Sequence, residues 1–343
     1  MDILHEGILK KINEIIEKNP EGFDELDLSE ILMDASSSSA ILLKRVLVKS
    51  AKGMLNERRK LSAGFIRRNI KRWAKAFDLL ETHIVICTEA GEDINAVGRQ
   101  MAAENNDLVF DLVVRHHARA CHIAQEILCL LKSGYADAAH ARWRALHEVN
   151  VTARFIAKHG QECAERFYFH RFVDAFDGMM EHKKYEDRLQ EKAPPQSEIN
   201  EYKLKYDELI AKYGVAFGGH YGWAAYLFSE SRRLGFAAIE KNVELDHMRP
   251  YYKWASQNIH AGSMGMSERL GLCESKQDGL LVGQSNSGMT DPAHAAAISL
   301  AQITCTTLML HPTFDHVVTM KIIDEFQKDI GDALLSASKK TKI

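Results

Sequence analysis

The sequence predicts an all-α fold: a multi-helix bundle domain over residues 96–343, preceded by an N-terminal helical module over residues 1–95 and carrying a glycine-rich loop or short-strand insertion near residues 262–289. Three observations carry this expectation. Apolar residues recur every three or four positions along most of the chain, the spacing that gathers them on one face of a helix. Only 6 prolines and 21 glycines stand among 343 residues, too few to turn a many-stranded β protein. Stop and start signals such as Ser133-Gly134, Gly160, Ala193-Pro194-Pro195 and Asp291-Pro292 divide the periodic stretches.

Taken in order, Ile3, Ile8, Leu9, Ile12, Ile15 and Ile16 predict a first helix that Asn19-Pro20 stops, and a second short helix fits residues 25–33. The polar run Ser36 to Ser39 reads as a hinge or a helix N-cap. Residues 40–88 are helical in pattern, and the polar stretch 89–106, with Gly91 and Gly98, is the expected module boundary. Helices follow over residues 107–132, 136–159 and 161–190. Their connections are short, so the three should pack as antiparallel neighbours. Further helices fit 197–213, 250–260, 291–310 and 313–336, with a frayed lysine-rich tail after them. Gly279 to Gly283 is the one convincing short strand or ordered loop.

A formal charge of −3 excludes a bulk field that would draw the whole protein to nucleic acid or to a membrane, so any such affinity has to be local. The six cysteines show no Cys-x-x-Cys spacing and read as buried free thiols in a reducing compartment. The amino-terminal residues lack the order of a secretory signal, and residues 292–310 are too polar for a membrane span. The expectation is a cytoplasmic protein without membrane attachment, metal or cofactor.

The helix over residues 136–159 is apolar on nearly every face, yet it carries Arg142, Arg144, His147 and Glu148. Burying an unpaired charge costs several kcal/mol, so these groups need partners. Arg144 and Glu148 stand four apart and can meet as an ion pair. One reading is architectural. The other is a polar site in which Arg144 binds an anion and His147 or Glu148 moves a proton. Tyr252, Ser256 and His260 also recur at intervals of four and should project from one side of their helix. A hydroxyl one turn from an imidazole could be an activated nucleophile, but no acid or oxyanion loop is recognisable beside it. A core or proton-carrying role for His260 fits better. Lys60, Arg67, Arg68, Lys71 and Lys75 form a basic helix face, either solvated or a seat for phosphates.

Two pairs fit Arg-x(4–6)-His, the motif of the ribonucleases of the HEPN superfamily: Arg142 with His147, and Arg115 with His122. On a regular helix the first pair points about 140° apart, whereas the second shares a face that reads as solvated.

The run from Gly134 to Glu148, then Tyr221, Gly222, Trp223 and Ala224, then Tyr252-x3-Ser256-x3-His260, and finally Gly283 to Gly288 with Asp291-Pro292, resembles the bacterial domain-of-unknown-function family 5677 over residues 73–336. The resemblance implies an all-helical domain built around the Arg144 and His260 helices, and no activity. Fold analogy to HEPN-type defence proteins suggests an RNA-cleaving effector, possible as a homodimer. In it Arg144, His147, Glu148, His260 and Ser256 would be catalytic, and Arg142, Tyr252, Tyr221 and Trp223 would hold ligand. The alternative is a non-enzymatic sensor or scaffold that binds a protein or small ligand through Tyr221 to Trp223 or the Arg67 helix. A serine hydrolase using Ser256 ranks third.

Overall fold

The computed structural model describes residues 28–228, 234–260, 262–275 and 279–339, with short helical pieces between 10 and 18. The first predicted helix, its stop and the lysine tail therefore lie largely outside the described residues. The chain divides into two units, Met1–Phe65 and Ile66–Ile343. Every described element is helical: α1 (Leu28–Glu104), α2 (Leu108–Lys132), α3 (Ala136–Leu189), α4 (Gln196–Tyr213), α5 (Phe236–Asn242), α6 (Arg249–Gln257), α7 (Ser263–Ser267), α8 (Thr290–Leu308) and α9 (Phe314–Lys339), with 3-10 turns between them. Among the described residues none is a strand, and no helix is long and apolar enough to cross a membrane.

In the first unit, α1 passes straight through the serine run. Ser36 and Ser37 each donate to the carbonyl of Met33 at 2.8 Å, so these hydroxyls bond back onto the helix and neither cap it nor break it.

In the second unit, α1 contributes a buried stripe of Trp73, Phe77, Leu80, Ile84, Cys87, Ile94 and Ala102. The expected boundary at residues 89–106 is not a linker, because the helix runs on to Glu104 and the division of the chain falls after Phe65. Gly91 and Gly98 are the reason the pattern misleads. They are not hinges but places where α2 comes close: a Cβ on Gly91 would fall on the His117 ring, and one on Gly98 on the Phe110 ring.

Helices α2 and α3 run antiparallel. Ser133 and Gly134 join the end of α2 to the start of α3, while Gln161, midway along α3, bonds the Leu108 amide (3.1 Å) and the Asn106 carbonyl (2.8 Å). Gly160 breaks α3 with φ 74°, a backbone that glycine adopts without strain, so the two helices predicted on either side of it meet at a kink. Helix α8 lies against α2, α3 and α9. It begins at Thr290 with Met289 at the N-cap position, so Asp291 does not cap it.

The short strand predicted at residues 279–283 does not form. Leu280 and Val282 stand 96% and 94% exposed, with no neighbouring strand to bury them. The insertion is held by polar groups. Buried Asp137 accepts from the amides of Leu270 (2.8 Å) and Gly271 (3.2 Å), and Arg72 pairs with Glu274 at 2.8 Å. Helix α6 ends at Gln257, short of the expected residue 260, because the Asn258 amide turns back to the carbonyl of Ala255 and the Ile259 amide to that of Ser256, which tightens the last turn.

Candidate functional site

The polar groups of α3 sort by face. Trp143, Leu146 and His147 point into the core, and the Trp143 indole donates to Ser299 of α8 at 2.9 Å. Arg144 and Glu148 lie beside α6 and keep 26% and 33% of their side chains exposed. Arg142 turns elsewhere and pairs with Glu126 of α2.

Around Arg144 the structure assembles a half-buried cluster. Its guanidinium lies 3.0 Å from the Glu148 carboxylate, donates to Ser256 Oγ at 3.2 Å and covers the Tyr252 ring at 4.6 Å. The Tyr252 hydroxyl donates to Glu148, and Ser256 donates to the Tyr252 carbonyl at 2.8 Å. Burial and the Glu148 carboxylate both push the Tyr252 phenol far above its ordinary range. Tyr221, half-buried, feels Glu148, Arg144 and Arg249 and is raised chiefly by burial.

Behind this cluster lies a second one that sequence reasoning missed. His147 Nε2 donates to Glu240 of α5 at 2.7 Å, and both side chains are wholly buried. The other Glu240 oxygen pairs with Arg249 at the start of α6. His147 is enclosed by the rings of Trp143, Phe236 and Tyr252 at 5.5–6.0 Å, and its Nδ1 has no hydrogen-bond partner. Two carboxylates thus face two guanidiniums and an imidazole, which is close to neutrality. The one sequence cue was a glutamate in the otherwise apolar run Phe236-Ala-Ala-Ile-Glu240.

Three of the candidate residues stand outside this assembly. His260 lies beyond the end of α6 and is exposed, with only its backbone amide bonded to Ser256. That amide hydrogen bond is the helical i−4 one, but the imidazole makes no contact with Tyr252 or Ser256. Trp223 is buried against Phe155 and Phe167, a packing position. Arg142 serves the α2–α3 seam. What converges is Arg144, His147, Glu148, Tyr252, Ser256 and Tyr221.

A cleft of about 610 Å³ lies among α3, α8 and α9, lined by Arg154, Lys158, Gln302 and Cys305. Another of about 450 Å³ lies between α1 and α2 and includes Glu92, Arg115, His117, Cys121 and His122. Neither is lined by the Arg144 cluster. In the second, Arg115 is paired with Asp111 at 2.8 Å and His122 approaches Glu126 at 3.4 Å, so the same-face Arg115–His122 pair borders a cleft with both members engaged. His117 beneath it donates to Thr304 at 3.0 Å, and burial lowers its pKa to about 4.

Residues 110–278 match the model of a family of unknown function, DUF5677. This region of the chain belongs to that family. The match takes in all of the Arg144 and His147 clusters and stops short of the Gly283 to Asp291 motifs. It is narrower than the resemblance over residues 73–336, and α8 and α9 lie outside it although they complete the same core. No curated protein and no solved structure matches the chain.

Proposed function

We propose that this DUF5677 protein works by binding, as a helical sensor or scaffold, and that the charges of α3 hold its fold together. The observation that carries this reading is their mutual neutralisation. Arg144 is answered by Glu148, and His147 and Arg249 by Glu240, with His147 and Glu240 sealed from solvent. A catalytic group has to touch its substrate, and His147 touches only rings and a carboxylate. The 610 Å³ cleft is of the size that small-molecule sites occupy, which supports a ligand as well as a protein partner. Six free cysteines, of which Cys129 and Cys273 are exposed where burial was expected, accord with a cytoplasmic setting.

The second reading, a HEPN-like RNA-cleaving effector, is favoured by one feature. His147 presents an unbonded Nδ1 while a carboxylate holds its other nitrogen, the arrangement of a general base, and Arg144 close by reaches solvent. It requires His147 to be uncovered.

Incubating the purified protein with total RNA separates the two. On the binding reading RNA stays intact, and Arg144→Ala lowers the melting temperature without changing that result. RNA cleavage by the wild type, lost in a folded Arg144→Ala variant, would overturn it.

A further inference from the structure

The stretch of α1 over residues 41–61 combines dense positive charge with exposed apolar side chains. It carries seven cations (Lys44, Arg45, Lys49, Lys52, Arg58, Arg59 and Lys60) and one acid, Glu57, in a protein whose overall charge is −3. It also displays large apolar side chains to solvent, among them Leu47 at 66%, Val48 at 68% and Leu61 at 61% exposed. At about 100° per residue, Arg45, Lys49, Lys52 and Lys60 fall within an arc of about 80°, and Leu43, Val46, Leu47, Met54, Leu55 and Leu61 spread over the remaining side. Lys44, Glu57 and Arg58 interrupt that apolar side, Leu42 falls within the basic arc, and Ile41, Val48 and Arg59 lie at the edge of that arc.

We infer that residues 41–61 form a docking surface for a negatively charged lipid bilayer. A basic helix with an opposed apolar face lies in the plane of a membrane surface, its cations among anionic headgroups and its apolar side chains at the acyl boundary. Both halves of the pattern are then used. Nucleic acid would engage the cations and leave Leu47, Met54 and Leu61 in water. A second copy of the helix would bring like charge against like charge and would bury Lys44 and Arg58 in a dry seam. At a bilayer those two long side chains lie along the apolar surface and raise their charged ends to the headgroups. The near-neutral chain as a whole has no such attraction, so the affinity is local to this helix.

The test is cosedimentation of the full chain with phosphatidylcholine vesicles, with and without phosphatidylserine. The wild type should pellet only with the phosphatidylserine vesicles. Lys49→Gln with Lys52→Gln should weaken binding by roughly twentyfold or more, about fivefold for each cation. Leu47→Gln with Met54→Gln, which leaves the charge unchanged, should weaken it roughly a hundredfold. Since all four side chains are exposed, circular dichroism and thermal melts of both variants should match the wild type.

Wild-type protein left in the supernatant would overturn the inference. So would binding that the Leu47 and Met54 changes do not touch, or binding of duplex RNA with the phosphatidylserine vesicles spared. A lipid-free dimer that Leu47→Gln with Met54→Gln converts to monomer would overturn it in favour of self-association. The inference stands apart from the binding reading of the α3 cluster, because RNA cleavage by the wild type would sink that reading and leave vesicle binding unaffected.

Discussion

Helix α3 and residues 41–61 of α1 are made of the same ingredients, apolar side chains with charges set among them, and come to opposite ends. Between Trp143 and Ile156 of α3 the large apolar residues are buried, and the ionisable groups of the site helix are answered: Arg142 by Glu126 of α2, Arg144 by Glu148 of α3 itself, and the His147 imidazole by Glu240 of α5. In residues 41–61 the apolar residues stay in water and one acid stands among seven cations. The lesson is about charge balance. Core formation admits ionised groups where the fold supplies a counter-charge, since an unpaired buried charge costs several kcal/mol. Without that supply the helix keeps its face outward, where a partner of opposite charge can reach it.

The largest effect that would break this comparison is at Glu240. Glu240→Ala strands His147 and Arg249 together, and should cost about 3–5 kcal/mol of stability in urea denaturation. A loss under about 1 kcal/mol would show that the pair is not holding the core.

Acid is the next lever. Burial lowers the pKa values of His83, His117 and His140 to about 4, against 6.5 for the exposed side chain. The unfolded chain therefore binds protons first as pH falls. The stabilising contribution is complete above about pH 6.5 and is lost on acidification toward pH 4, by up to about 3 kcal/mol for each imidazole. His117→Gln should flatten that part of the stability–pH curve; an unchanged curve would mean that His117 binds its proton equally well in the folded and unfolded chain.

A smaller effect sharpens the contrast between the half-buried cluster and the sealed one. Tyr252→Phe removes one hydrogen bond to Glu148 and should cost about 0.5–1.5 kcal/mol in the same denaturation experiment. The smallest is expected at Leu47, where Leu47→Gln should shift stability by no more than about 0.5 kcal/mol despite the loss of a large apolar group. A larger cost there would mean that something within the chain covers this face.

How far the site could be read in advance follows from distance along the chain. Arg144 and Glu148 pair because helical geometry alone brings positions four apart together, and Tyr252 reaches Ser256 through the same rule. Glu240 and Arg249 escaped notice because they approach His147 across nearly a hundred residues of helix, turn and loop, a path that no local rule specifies. His260 fails for a subtler reason. The spacing rule sets it one turn from Ser256, and its amide does bond the Ser256 carbonyl, but α6 ends at Gln257 and the imidazole is left in solvent. Gly91 and Gly98 mislead in the other direction, since a glycine that admits a neighbouring ring looks the same in sequence as one that opens a hinge.

By itself, the sequence determined the helical class, the break at Gly160, the basic face of α1 and the presence of charges on a greasy helix. These are matters of neighbours three or four residues apart, set by backbone geometry and the chemistry of single side chains. Only the tertiary structure decided which charges are sealed and answered, where the chain divides, and which apolar face is left bare. Those outcomes depend on which distant elements arrive to supply a counter-charge or a cover, and that is a property of the packed whole.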